Sequence, residues 1–232
     1  MGQVCTSINN DNAKSNITLD VKNFFHHYAE NFDALYGHTK KRNFFYRWLD
    51  RNFRKVMRSR FEETIKNTAD PQIRSVLDVG CGPGRYCVEF LKQNKENVVG
   101  IDMAKGMLEI ARSITNQVST ATTVNFILGD YLSYRFDRKF DAACLMGFFD
   151  YIENPVEILQ KLKQDVRMEI YASFPKSSGL LAKYRILRYR IRGCPLYLYS
   201  LNELMDILRR SGLKDKAKIT HFDREYYVKI KL

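Results

Sequence analysis

No stretch of the 232-residue chain is apolar for long enough to cross a membrane as a helix, and no signal peptide is read at its start. Cysteine pairs are missing too. The five cysteines, Cys5, Cys81, Cys87, Cys144 and Cys194, are odd in number, and none stands in a C-x-x-C pair. That argues against structural zinc and against a disulfide framework, so the expectation is a reduced, cytoplasmic protein without a metal site. Acidic residues are in deficit: 26 Asp and Glu against 38 Lys and Arg, for a net charge of +12. Such a balance suits anionic partners (nucleic acid, acidic lipid or an anionic metabolite), and it equally describes cations that are simply solvated. There is no internal repeat and no flexible interdomain linker. What is present is material for a core: 45% hydrophobic and 13% aromatic residues, in a length that gives one good-sized domain with an extension.

The chain is organised around residues 74–86, Arg-Ser-Val-Leu-Asp-Val-Gly-Cys-Gly-Pro-Gly-Arg-Tyr. Ser75, Val76, Leu77 and Val79 predict a buried parallel strand that runs into a glycine turn and then a helix. Gly80, Gly82 and Gly84 leave backbone bare of Cβ atoms, and the helix that follows offers free N–H groups. A dinucleotide loop has G-x-G-x-x-G and sets a pyrophosphate on the helix N-terminus. Here the order is G-x-G-x-G, Arg85 holds the place of the third dinucleotide glycine, and Asp78 would oppose a pyrophosphate. That carboxylate suits a ligand with a cationic amino-acid end. A second apolar run, Val98-Val99-Gly100-Ile101-Asp102, ends in an acid about 20 residues past the glycines, the spacing at which an acid meets ribose hydroxyls.

Val76-Leu77-Asp78-Val79-Gly80-Cys81-Gly82-Pro83-Gly84 resembles the first motif of the class I S-adenosylmethionine (SAM)-dependent methyltransferases. Val99-Gly100-Ile101-Asp102-Met103 resembles their second, and Gly129-Asp130 and Phe140-Asp141-Ala142-Ala143 fall where the third and fourth lie. The resemblance covers roughly residues 70–232 and is of the small-molecule type, loosely similar to quinone and magnesium-protoporphyrin methyltransferases. It implies SAM as cofactor, held by Asp78, Gly80, Cys81, Gly82, Gly84, Asp102, Met103, Asp130, Tyr131 and Met146, with Tyr28 as a lid over it. Asp78 would orient the methionine end, Asp102 would accept the ribose hydroxyls, Met103 would pack on adenine, and Asp130 would accept the adenine amino group. For Asp130 a turn or cap role is the competing reading.

In chain order, residues 1–18 read as a disordered tail, and 19–69 as a helical cover made of amphipathic helices at 19–36 and 41–67. Met1-Gly2-Gln3-Val4-Cys5-Thr6 fits a lipidation pattern, which leaves peripheral membrane contact open. Asp70-Pro71 breaks the second helix. Residues 70–232 read as the SAM-binding domain. Strands are expected near 74–80, 97–102, 123–128, 140–146 and 167–174, with helices near 83–94, 103–115 and 154–164. Such alternation gives an α/β fold, a doubly wound and mostly parallel seven-stranded sheet of Rossmann-like type with N-terminal helices, closed by a hairpin within 216–232. Ser200 is expected to cap a last helix, 201–210.

Acceptor chemistry is expected on the loop Met146–Tyr151 and on a cap insertion at 176–199. Relatives acting on quinones often carry Glu-His where this chain has Asp150-Tyr151, so a histidine base is missing and Asp150 and Tyr151 are the candidate catalytic pair. Tyr36, Phe149, Arg185, Arg188, Tyr197 and Tyr199 are candidate acceptor contacts, the arginines for a carboxylate or phosphate. The function expected is methyl transfer to an O or N atom of a small, aromatic or anionic metabolite. Beside a nucleotide-dependent oxidoreductase, which Arg85 at the glycine position disfavours, two alternatives stay open. An RNA methyltransferase would explain the charge, although no RNA-binding module and no Asn-Pro-Pro-Tyr motif is seen. The other is a non-catalytic SAM-binding protein. Oligomeric state is not read.

Overall fold

The computed structural model describes residues 57–179, 182, 185, 186, 189, 191 and 194–232. The expectations for Gly2, Cys5, Tyr28, Tyr36, Arg188, the helix at 19–36 and the start of the helix at 41–67 lie outside them. Helix α1 is described over 57–68. It stops where Asp70 turns the chain, its carboxylate accepting the Gln72 N–H at 2.9 Å. Then follow β1 (Ser75–Val79), α2 (Arg85–Lys92), β2 (Asn97–Asp102), α3 (Lys105–Thr115), β3 (Val124–Leu128) and β4 (Phe140–Leu145). A short 3-10 turn, Phe149–Tyr151, leads to α4 (Pro155–Asp165) and β5 (Val166–Pro175). The chain ends with α5 (Leu201–Arg210), β6 (Ala217–His221) and β7 (Glu225–Lys231).

The seven strands pair in the order β3-β2-β1-β4-β5-β7-β6. All neighbours are parallel except β7, which runs antiparallel to both β5 and β6. Central strands are mostly buried, β4 at all six positions, while the edge strands β3 and β6 are partly exposed. One core cluster joins Leu77, Val79 and Leu145 to Ile158 and Leu159 of α4 and Leu204 and Leu208 of α5. The other joins Val76 and Cys144 to Phe90 and Leu91 of α2 and Leu108 of α3. Helices thus cover both faces, as a sheet of right-handed crossovers requires.

Two local devices fix element ends. Ser200 and Glu203 form a reciprocal capping box on α5, and Pro155 starts α4, where its missing N–H costs no hydrogen bond. At the amino end of the sheet, Asp141 accepts from the Arg74 N–H (2.9 Å), the Ser75 N–H (2.8 Å) and the Ser75 hydroxyl (2.9 Å), clasping β4 to β1. Strand order reverses between β1 and β4, so the loops after these two strands diverge and leave a crevice at their carboxyl ends.

Candidate functional site

Strand periodicity decides what lies beneath the crevice. Leu77 and Val79 face α4 and α5; Val76 and Asp78, one residue out of phase, face α2. Asp78 is only 2% exposed and accepts a hydrogen bond from the Cys87 thiol at 3.4 Å. Burial pushes its carboxyl up to about 7; the Cys87 bond opposes the rise and the nearby Asp102 charge adds to it.

The glycine loop is held from below. The N–H groups of Gly80 and Cys81 both donate to the Ile101 carbonyl, at 2.8 and 3.2 Å. The Gly82 N–H donates to Asp102 Oδ2 and the Ala104 N–H to Asp102 Oδ1, each at 2.8 Å. Asp102 therefore staples the loop to the end of β2, and its carboxylate keeps accepting capacity for a hydroxyl. Burial raises the Asp102 carboxyl, against the three backbone N–H bonds from Ala104, Gly82 and Met103. A Cβ added at Gly82 would meet nothing within 4 Å, whereas one at Gly80 would strike Phe148 Cδ2 at 2.6 Å. The loop thus presents open backbone at Gly82, and at Gly80 it touches the segment that follows β4.

That segment carries Met146, whose sulfur is 3.8 Å from the Thr64 hydroxyl of α1, then Gly147 and Phe148. Beyond them the cap insertion closes on it. Arg185 donates to Asp150 Oδ2 at 3.0 Å, the Tyr197 N–H to the Asp150 carbonyl at 2.8 Å, and the Tyr151 hydroxyl to that of Tyr189 at 3.4 Å. Asp150 is raised by burial, with Arg185 and Arg60 pulling the other way. Both candidate catalytic residues thus stand at the seam between loop and cap.

Of the remaining expected contacts, Gly84, Met103 and Asp130 lie along the same strand ends. Asp130 accepts from the Leu132 N–H (3.2 Å) and the Ser133 hydroxyl (3.1 Å), so its turn role is real whatever else it does. Three expectations are corrected. Tyr131 points into the core: it is 3% exposed, and its hydroxyl donates to Asp165 at 2.8 Å rather than facing a cofactor. Phe149 is fully buried and stacked on Phe174 at 4.2 Å, which removes its ring from any acceptor. Tyr199 is 7% exposed and donates to the carbonyls of Phe149 (3.0 Å) and Ile152 (3.2 Å), so it fastens the cap. Cys81 is also turned inward, at 6% exposure, leaving its loop backbone as its part of the site. Tyr197 is half-buried against the same core.

Sequence reasoning missed Phe148, Arg60, Ser173 and Glu225. Arg60 of α1 donates to Glu225 Oε2 at 2.9 Å and to the Ser173 hydroxyl at 3.3 Å, and the Gly147 N–H donates to the same Ser173 oxygen at 2.8 Å. The available signal was a polar stripe, Arg60, Thr64 and Asn67, at helical spacing beside the apolar Phe61 and Ile65.

Residues 76–168 match the family described as "Methyltransferase domain". The chain is 30% identical over 148 residues to the O-methyltransferase cnsE of Penicillium expansum, covering 60% of this chain and 51% of that one. It is 28% identical over 105 residues to a ubiquinone biosynthesis O-methyltransferase of Hydrogenovibrio crunogenus, covering 45% of this chain and 43% of that one. It thus spans about half the length of these curated relatives or less. Among solved structures, magnesium protoporphyrin IX methyltransferase from Synechocystis, crystallised with bound S-adenosylhomocysteine, aligns over 92% of this chain and 99% of its own at a TM-score of 0.73 and 16% identity. Strand order, glycine turn and Asp102 thus fall within the region that matches the methyltransferase domain, and the chain has the Rossmann-like fold of these solved methyltransferases.

Proposed function

We propose that the protein transfers a methyl group from SAM to an oxygen or nitrogen atom of a small-molecule acceptor. The observation that carries this reading is the pairing of open backbone at Gly82 with an Asp102 carboxylate that is anchored by backbone N–H groups and still has accepting capacity. The residues suit SAM. Asp102 has accepting capacity left for a ribose hydroxyl, Met103 adjoins it for the adenine, and Asp130 stands at the next strand end. Asp78, Gly80, Gly84 and Met146 surround the place where the methionine end would lie. The turn lacks the third glycine of a dinucleotide site, and Arg85, the first residue of α2, stands in its place.

When bound, SAM supplies an electrophilic sulfonium methyl. The chain's own task is then to hold an acceptor in line with it and keep water out, and such positioning supplies much of the rate. Phe148, lying on Gly80, and the cap seam of Asp150, Arg185, Tyr151 and Tyr189 would form the walls on the acceptor side. Of the cap arginines expected to clamp an anionic acceptor, Arg185 is already neutralised by Asp150. The net charge of +12 keeps one competing reading, an RNA acceptor.

Methyl incorporation from radiolabelled SAM into a metabolite panel and into total RNA separates the two. Label in small aromatic compounds and none in RNA is the expected result. Label in RNA that falls steeply as salt is raised would establish the other reading.

A further inference from the structure

Helix α1 and strand β7 meet as a polar zipper. Four helical residues rise about 6 Å, and two strand residues about 6.6 Å. A stripe at i, i+4 and i+7 on the helix therefore keeps step with alternate residues of the strand. Asn67 Oδ1 accepts from Lys229 at 2.9 Å, Thr64 donates to the Tyr227 hydroxyl at 3.3 Å, and Arg60 donates to Glu225 at 2.9 Å. Only the last pair is incomplete. Glu225 is 6% exposed and uses Oε2 alone; its Oε1 is buried with no hydrogen-bond partner among the described residues. A buried carboxylate oxygen without a donor is costly, and such an atom in a folded protein calls for an explanation.

Its position supplies one. Glu225 pairs with Pro175 at the carboxyl end of β5, the sheet edge on which the crevice opens. The guanidinium it holds lies 3.3 Å from where a Cβ of Gly147 would sit, and the next residue, Phe148, lies on Gly80 of the glycine turn. Asp150 and Arg185 act electrostatically on Glu225 from the loop and the cap. Among the described residues the cluster holds two acids and two arginines, each arginine paired with one acid. Those residues offer no uncompensated cation for a carboxylate or a phosphate. What it offers is a carboxylate lone pair.

We infer that Glu225 is a catalytic residue of the acceptor site, whose free Oε1 takes the proton from an acceptor reacting through a hydroxyl or an amine rather than a carboxylate. This rests on the methyl-transfer reading above. In the step, the acceptor's oxygen or nitrogen bonds the methyl carbon as the carbon–sulfur bond breaks with its pair on sulfur. The acceptor's proton passes to Glu225 and then to solvent. Arg60 and Ser173 are positioning residues that fix the carboxylate. Burial raises the Glu225 carboxyl, Arg60 opposing, which brings a glutamate closer to the range useful to a base at neutral pH.

The test uses the full chain as wild type, Glu225→Gln, Glu225→Asp and the double variant Arg60→Met with Glu225→Gln. SAM binding is measured first by calorimetry. Labelled methyl transfer to phenol, catechol, aniline and benzoate then follows. Wild type is expected to label the hydroxyl or amine compounds in preference to benzoate. Glu225→Gln should bind SAM as wild type does and lose about 100-fold or more in kcat. It should also lose the acid limb of the pH–rate profile, which in wild type reports Glu225 among Arg60, Asp150 and Arg185, and Glu225→Asp should restore part of both. If Glu225→Gln fails to fold because Arg60 is left unpaired, the double variant removes both charges and must show the same loss. Preference for benzoate, no labelling of any hydroxyl or amine compound by a protein that binds SAM, or unchanged kcat and pH profile in the variants would each overturn the assignment. A wild type that does not bind SAM would instead overturn the methyl-transfer reading on which it stands.

Discussion

Asp78 sits where the period-two pattern of β1 turns it toward α2, and there its carboxyl meets the Cys87 thiol in a buried setting. A thiol is a weak donor, so burial wins and the carboxyl titrates near 7. Linkage sets the sign: the folded protein binds the Asp78 proton more tightly than the unfolded chain does. The stability this contributes is present in full below the unfolded value of about 4 and is lost as pH rises through about 7. Asp78→Asn, which carries no charge at any pH, is therefore expected to unfold later than wild type at alkaline pH, by on the order of 2 kcal/mol. The gain should vanish at acid pH. Urea midpoints at the two ends of that window check it, and a pH-independent difference would contradict it. The acid itself was legible in the sequence, since a carboxylate that closes a buried strand beside a glycine turn is conspicuous. Its thiol partner was not, because Cys87 was one of five unpaired cysteines with no spacing signal. The reverse error occurred at Tyr131, Phe149 and Tyr199. Tyr131 and Phe149 follow strand ends and Tyr199 precedes the cap of α5, and all three rings went to the core.

At the scale of elements, the strand–turn–helix alternation was readable because apolar runs and breakers are local signals. The six strands after β1 and the helices α2 to α5 lie within a few residues of expectation. The α1–β7 zipper was not readable: Arg60 and Glu225 are 165 residues apart, and each looks like an ordinary surface charge by itself. The glycines of the turn likewise share a spacing and do different work. A Cβ at Gly84 would lie 2.9 Å from the Ala111 Cβ of α3, while one at Gly82 would project into open space. Both backbones have positive φ, +75° and +52°, so the conformational strain of an alanine is common to the two. Gly84→Ala adds overpacking between α2 and α3, worth about 1–3 kcal/mol more in stability. Gly82→Ala is expected to spare stability by comparison and to weaken SAM binding instead. Thermal midpoints and SAM titrations of the two variants should show this crossover, and equal loss of stability in both would argue that the turn is shaped by packing alone.

For the whole molecule, sheet order places the ends of β1, β2, β4 and β5 along one crevice, with a helix stripe and a cap drawn over its far side. Among the described residues no helix is long and apolar enough to cross a membrane. The account's central claim is that this crevice holds SAM through Asp102 and the open turn at Gly82. Calorimetric titration of wild type, Gly82→Arg and Asp102→Ala with SAM, S-adenosylhomocysteine and NAD tests it most directly. The prediction is that wild type binds the first two and not NAD, and that both variants stay folded and lose that binding. A folded wild type that binds neither SAM nor S-adenosylhomocysteine, or that binds NAD in their place, would contradict it.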